Sequence, residues 1–170
     1  MTKEELIQWK NRIYEQQKQA RLRTKTQQQS LFEISQNTWH EADEIEPLKL
    51  KLYPADFYRM PPALKYLEDQ GCIYFLIDHF AEIILYIGET KLSAYQRWIG
   101  PHYAKMYTLS YIERHRQDDL ECAVCCAFWL HIPPEKKILL QWERELIFKW
   151  RPPFNRQMWE IYGQPFKRFQ

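Results

Sequence analysis

GCIYFLIDHFAEIILYIGET, residues 71–90, holds two apolar runs, CIYFLID and EIILYIG, separated by a short interval. Each run has the length and the β-branched, aromatic content of a strand, and the interval is short enough for a hairpin. With a turn near residues 79–81, Tyr74 falls roughly opposite Tyr86. Side chains alternate along a strand, so Ile73, Phe75 and Ile77 share one apolar face with Ile83, Leu85 and Ile87. Both tyrosines point to the other face, beside Asp78 and Gly88. Aromatic packing on a sheet accounts for two tyrosines without any chemistry, so the remaining residues must separate the two readings.

Downstream, LSAYQRW (92–98) reads as a short helix, with Ser93 as a possible cap and Gly100-Pro101 as its stop. YAKMYTLSYIERHR (103–116) reads as a second helix and ECAVCCAFWLHI (121–132) as a third strand. PEKKILLQWERELIFKW (134–150) is a third helix, entered through Pro134 and closed before Pro152-Pro153. The expected architecture is a small α/β sandwich with a three-stranded, mostly antiparallel sheet flanked by helices.

Upstream the character differs. Residues 1–30 carry seven Lys/Arg against three Asp/Glu and are rich in glutamine. Thr2 and Glu5 are spaced as a capping box, and Leu6, Trp9, Ile13 and Ala20 give a weak helical stripe that ends at TKTQQQS. The simplest reading is a solvated or frayed helix, with a nucleic-acid contact as the alternative. Residues 31–47 hold five acids and no Lys/Arg, and the proline-bearing arm LYPADFYRMPP follows. The chain thus divides into a helical N-terminal extension (1–70), a domain (71–155) and a tail (156–170).

At 170 residues with 45% hydrophobic content, the chain suffices for one domain plus an extension. A net charge of +2 does not by itself point to nucleic acid. No apolar stretch approaches the roughly 18 residues of a membrane span, and MTKEELIQWK lacks the apolar segment of a signal peptide. The expectation is a cytoplasmic protein without membrane partners. Cys72, Cys122, Cys125 and Cys126 then read as thiols. Cys122-x-x-Cys125 lacks a second ligand pair for structural zinc, so ECAVCCAFWL reads as a buried strand.

The third helix carries the sharper feature. At about 100° per residue, Leu139, Leu146, Ile147 and Trp150 form its apolar stripe, and Glu143 falls among them. Glu145 lies on another side, with Ile138, Gln141 and Lys149. A carboxylate in an apolar stripe needs a cation, a metal or strong hydrogen bonds. A buried structural ion pair is the alternative to a site. Two tyrosines, an arginine and an acid form a workable set for phosphodiester hydrolysis. The acid can hold a Mg²⁺ that keeps several waters, and Arg97 can fork onto phosphate. A tyrosine can take a proton from water. Ionising an unperturbed phenol at pH 7 costs ~4 kcal/mol, so positive charge from a metal, Arg97, His102 or Lys105 is required. His102 is a further proton-transfer candidate.

CIYFLID, LYIGET, QRW and ERELIFKWRPPFN, in this order, resemble the successive motifs of the GIY-YIG nuclease superfamily. The name-giving tripeptides correspond to Cys72-Ile73-Tyr74 and Tyr86-Ile87-Gly88. The resemblance assigns the family's arginine to Arg97, its metal-binding glutamate to Glu143 and its late asparagine to Asn155. It covers about residues 71–155. Cys72 stands where the first motif usually has glycine, one extra residue separates the second motif from Arg97, and Glu89 follows Gly88 where small or basic residues are frequent.

The resemblance implies a GIY-YIG-type, Mg²⁺- or Mn²⁺-dependent DNA endonuclease, with RNA as an open alternative substrate. Glu143 would bind the metal, Arg97 the scissile phosphate, Tyr74 would act as general base and Tyr86 would orient water or phosphate. The two tyrosines can exchange roles. Asn155 would order the end of the third helix against the site. Lys105, Arg114 and Arg116, interleaved with Tyr103, Tyr107 and Tyr111, are candidates for nucleic-acid contacts. Two rival readings keep the fold: a nucleic-acid-binding module that cuts nothing, and a protein-interaction domain. Oligomeric state is left open.

Overall fold

The hairpin of residues 71–90 forms, but with a register that alternation alone does not give. The computed structural model describes residues 1–22, 39–55, 71–91, 102–164 and 166. The helix expected over 92–98, with Ser93 and Arg97, lies outside the described residues, as do Gly100-Pro101, TKTQQQS and most of the proline-bearing arm. Strands β1 (Tyr53–Pro54), β2 (Cys72–Asp78), β3 (Ile83–Thr90) and β4 (Val124–Trp129) form one sheet in the order β1-β4-β2-β3. Every pair is antiparallel. The chain is therefore α/β, and the sheet has four strands rather than the expected three.

The additional strand pairs Tyr53 with Cys126 and Pro54 with Cys125. Proline lacks an N–H to donate and is tolerated at a sheet edge, where β1 lies. Two residues, one of them proline, carry no period from which a strand can be read. Cys126 Sγ also donates to the Tyr53 carbonyl at 3.5 Å. Burial pushes the Cys72 and Cys126 thiols up to about 12, so both behave as small apolar groups.

Within the hairpin, Tyr74 lies opposite Gly88 and Leu76 opposite Tyr86, so the tyrosines are diagonal neighbours, not a direct pair. Beyond Leu76 the register shifts: Ile77 pairs with Ile84 and Asp78 with Ile83, which leaves Leu85 as the extra residue of a β-bulge. Ile84, not Ile83 or Leu85, therefore lies across from Ile77. The run 83–87 is apolar or aromatic throughout and buried on both faces, so nothing in it marks the switch.

The outer edge of β3 is closed by side chains. Gln17 Nε2 donates to the Ile84 carbonyl at 2.9 Å and Gln17 Oε1 accepts the Ile84 N–H at 2.8 Å. Asn155 does the same to Ile87, at 2.8 and 3.0 Å. Between them, Phe154 N–H donates to the Leu85 carbonyl at 2.9 Å. Two carboxamides and one peptide thus stand in for a missing strand and satisfy an edge that would otherwise be open.

Helix α1 (Lys3–Leu22) starts with the expected capping box: Glu5 N–H donates to Thr2 Oγ1 at 3.2 Å, and Thr2 N–H to Glu5 Oε2 at 2.7 Å. It is not a solvated helix. Leu6, Trp9, Ile13, Gln17 and Ala20 are buried, and the helix packs on β3. Three further helices frame the sheet: α2 (Trp39–Asp43), α3 (Tyr103–Gln117) and α4 (Lys136–Trp150); a final short helix, α5 (Trp159–Tyr162), follows. α3 buries Ala104, Thr108, Tyr111 and His115 and covers the tyrosine face, where the Tyr111 hydroxyl donates to Asp78 Oδ2 at 2.6 Å. α4 buries Leu139, Trp142, Leu146, Ile147 and Trp150 and runs along β3, α1 and α2. Arg151, with φ 47°, ends it in a left-handed cap, and Pro152 cannot continue it.

Asp78 ties α1 and α3 to the hairpin. Its fully buried carboxylate accepts N–H groups of Phe80, Ala81 and Ala123 on Oδ1, and Lys10 Nζ stands 3.5 Å from Oδ2. Lys10 in turn reaches His115 Nε2 at 3.0 Å, while His115 Nδ1 donates to the Tyr111 carbonyl at 2.8 Å. The tail joins the same core, with Phe166 packed against Trp9, Tyr111 and Phe154. No helix among the described residues is long and apolar enough to cross a membrane.

Candidate active site

Tyr74 on β2 and Tyr86 on β3 bring their ring centres to 5.8 Å on the face covered by α3. Gly88 makes this packing possible. A Cβ built there would stand 2.5 Å from the Tyr74 hydroxyl and 2.8 Å from Tyr86 Cε1, closer than side-chain carbons tolerate. The glycine is required for close approach, not for an unusual backbone angle. Both rings are nearly fully buried. Burial, followed by the Tyr74 and Tyr103 phenols, raises the Tyr86 pKa well above the ordinary value, so its hydroxyl keeps its proton.

His102 caps α3: its Nδ1 accepts the Ala104 N–H at 3.1 Å. In the neutral ring the proton then sits on Nε2, which lies 3.2 Å from the Tyr86 hydroxyl oxygen and donates to it. The ring centre of His102 is 5.1 Å from Tyr86 and 6.5 Å from Tyr74. Tyr103, the next residue, stacks on His102 at 4.7 Å and meets Tyr86 edge-on at 5.9 Å. One helix start therefore delivers two rings to the hairpin.

Glu143 approaches the same cluster from α4. The Tyr103 pKa is raised first by burial and also by the Glu143 charge, against lowering by the Tyr86 hydrogen bond and Arg156. Glu145 faces elsewhere: Gln141 donates to it at 2.9 Å, and burial raises its pKa. The helical phase thus separates the two acids as the apolar stripe anticipates. Among the described residues no group of three or more His, Cys, Asp or Glu could hold a metal ion. Among the described residues, Glu143 is the carboxylate whose charge reaches this cluster, at Tyr103; a lone carboxylate suits a hard cation that retains most of its water and does not suit zinc.

Asn155 reaches the site through the backbone. Its carboxamide is clamped on Ile87, the residue between Tyr86 and Gly88, so it fixes β3 where the tyrosine leaves it. Arg97 lies outside the described residues. Lys105 is half-buried on the first turn of α3. Arg114 and Arg116 lie near its other end, roughly 18–21 Å along the axis from His102 at about 1.5 Å per residue. Each is already paired, Arg114 with Asp118 at 2.8 Å and Arg116 with Glu113. Neither is brought to the tyrosines.

Sequence reasoning passed over two members of this cluster. Tyr103 was legible only as one of several tyrosines on a helix, and Arg156 follows the last motif residue. Arg156 lies over the Tyr103 ring at 4.8 Å and near Trp159 at 5.8 Å. No protein-family profile, curated protein or solved structure matches the chain.

Proposed function

We propose that the protein is a metal-dependent endonuclease of GIY-YIG type that hydrolyses DNA phosphodiester bonds. The observation that supports it is the clustering of Tyr74, Tyr86, His102 and Tyr103, from two strands and the start of α3, with the Glu143 charge on α4 acting on Tyr103. A sheet that merely packed two tyrosines would have no use for an acid and a histidine held beside them.

The raised Tyr86 pKa disfavours Tyr86 as the base. Tyr86 keeps its proton and receives the His102 Nε2–H, so it serves as a hydrogen-bond donor that orients water or phosphate. Tyr74 is then the group that accepts the proton of the attacking water as the phosphorus–oxygen bond to the leaving strand breaks. Arg97 is assigned to the charge that develops on the phosphate. Glu143 would hold a Mg²⁺ or Mn²⁺ ion, which supplies Lewis-acid stabilisation and the positive charge a phenolate base needs.

Cleavage of supercoiled plasmid in Mg²⁺ or Mn²⁺ tests the reading. Wild-type protein is expected to nick, and Tyr74→Phe, which removes only the proton-accepting hydroxyl, is expected to lose at least 100-fold in rate, within the usual range for general base catalysis. Nicking by Tyr74→Phe at the wild-type rate would remove that tyrosine from the mechanism. Tight DNA binding with no cleavage by the wild type, in either metal and on branched substrates, would favour the non-catalytic module instead.

A further inference from the structure

We propose that Arg156 forms a second phosphate-binding subsite, which holds the DNA backbone beside the cleaved bond. This inference rests on the nuclease reading and extends it with a residue and a position that the motifs do not supply.

Three observations carry it. The first is placement. Residue 156 follows directly on Asn155, whose carboxamide is bonded twice to Ile87, and Phe154 is bonded to Leu85. The backbone that carries Arg156 is therefore fastened to β3 on both sides of Tyr86. The second is posture. The guanidinium is exposed at the surface, 4.8 Å from the centre of Tyr103 and 5.8 Å from that of Trp159. Tyr107 meets Tyr103 and Trp159 edge-on at 5.9 and 5.8 Å, and Gln164 donates to the Tyr107 hydroxyl at 3.0 Å. A guanidinium held against aromatic faces keeps its in-plane N–H donors for a ligand, and its planar fork matches phosphate oxygens.

The third is charge. No carboxylate among the described residues forms an ion pair with Arg156. Among the described residues, the Tyr103 ring lies against both this cation and the Tyr86–His102 pair. A phosphate bound by Arg156 thus lies next to the reacting phosphate along a strand, and the positive charge offsets the repulsion that Glu143 would exert on the backbone.

The test is binding of a labelled DNA duplex, without divalent metal, across a series of salt concentrations. Wild type, Arg156→Gln and Arg156→Lys are compared, with thermal unfolding of each. Loss of one phosphate contact lowers the magnitude of the slope of log K against log[salt] by about 0.9 and weakens binding roughly tenfold at low salt. Arg156→Gln is expected to show both changes at a near wild-type Tm. Arg156→Lys is expected to keep the slope and lose part of the affinity. If the wild type binds and cuts DNA while Arg156→Gln binds with unchanged slope and affinity, the subsite is refuted and the nuclease reading stands. If the wild type binds no DNA, both fall together.

Discussion

Gly88 is the residue at which one methyl group does most to the site. Its substitution by alanine places a carbon 2.5 Å from the Tyr74 hydroxyl and 2.8 Å from Tyr86. Both rings are nearly fully buried, so the clash is relieved only by displacing one of them. Gly88→Ala is expected to destabilise the protein by about 1–3 kcal/mol through overpacking. Its nicking rate is expected to fall by roughly 100-fold, the cost of misplacing a reacting group by about 1 Å. Nicking assays and urea unfolding on the same preparation compare the two effects. An alanine variant that cuts normally would mean that the tyrosine pair need not be held in this arrangement. Glu143 was legible in the sequence as an acid in an apolar stripe, whereas Asn155 came from the family resemblance and the tyrosines alone could not be told from packing. Arg156 was not legible, since an arginine in a polar tail has no pattern to break.

At the scale of elements, the outer edge of the hairpin is the feature most dependent on single side chains. Gln17 satisfies both backbone groups of the buried Ile84. Gln17→Ala leaves an N–H and a C=O without partners, which is expected to cost about 2–4 kcal/mol. The urea midpoint should fall with little change in slope. A loss within a few tenths of a kcal/mol would show that water reaches this edge and that the carboxamide is dispensable. The equivalent change at Asn155 breaks the same pair of bonds at Ile87, next to Tyr86, and is expected to reduce both stability and nicking.

The elements themselves were legible where one face was apolar and the other was not. The stripes of α1 and α4 are of this kind, and Gln17 sits in the α1 stripe as Glu143 sits in that of α4. The β3 register was not legible, because residues 83–87 are apolar or aromatic on both faces and a bulge leaves no mark there. β1 was hidden for another reason: its pairing is made by β4, and its own two residues specify nothing.

For the whole molecule, the buried group formed by Lys10, Asp78, Tyr111 and His115 decides whether α1 behaves as an appendage or as part of the fold. Burial lowers the His115 pKa below its ordinary 6.5, with Lys10 acting in the same direction and the Tyr111 carbonyl, Asp78 and Asp118 opposing. The imidazole is therefore neutral in the folded protein. Above about pH 6.5 neither state binds this proton and its contribution is constant. As pH falls below 6.5 the unfolded chain takes up the proton first, so stability falls toward the lower, folded pKa. Denaturant unfolding at pH 7.5 and 5.5 should show a larger loss for wild type than for His115→Gln, which keeps an acceptor for Lys10 and cannot titrate. Equal losses would place the acid sensitivity elsewhere. The basic composition of residues 1–30 reads as a solvated helix, with a nucleic-acid contact as the alternative, yet Lys10 belongs to the core. Composition counts charges without locating them.

The central claim is that Glu143 and the tyrosines form one hydrolytic site. The most direct measurement is the rate of plasmid nicking as a function of Mg²⁺ concentration for wild type and Glu143→Ala, with DNA binding measured alongside. The account predicts saturable, metal-dependent nicking by the wild type. In Glu143→Ala it predicts loss of nicking with DNA binding retained. Metal-dependent nicking at the wild-type rate by Glu143→Ala, or no nicking by a wild-type protein that is folded and bound to DNA, would contradict it.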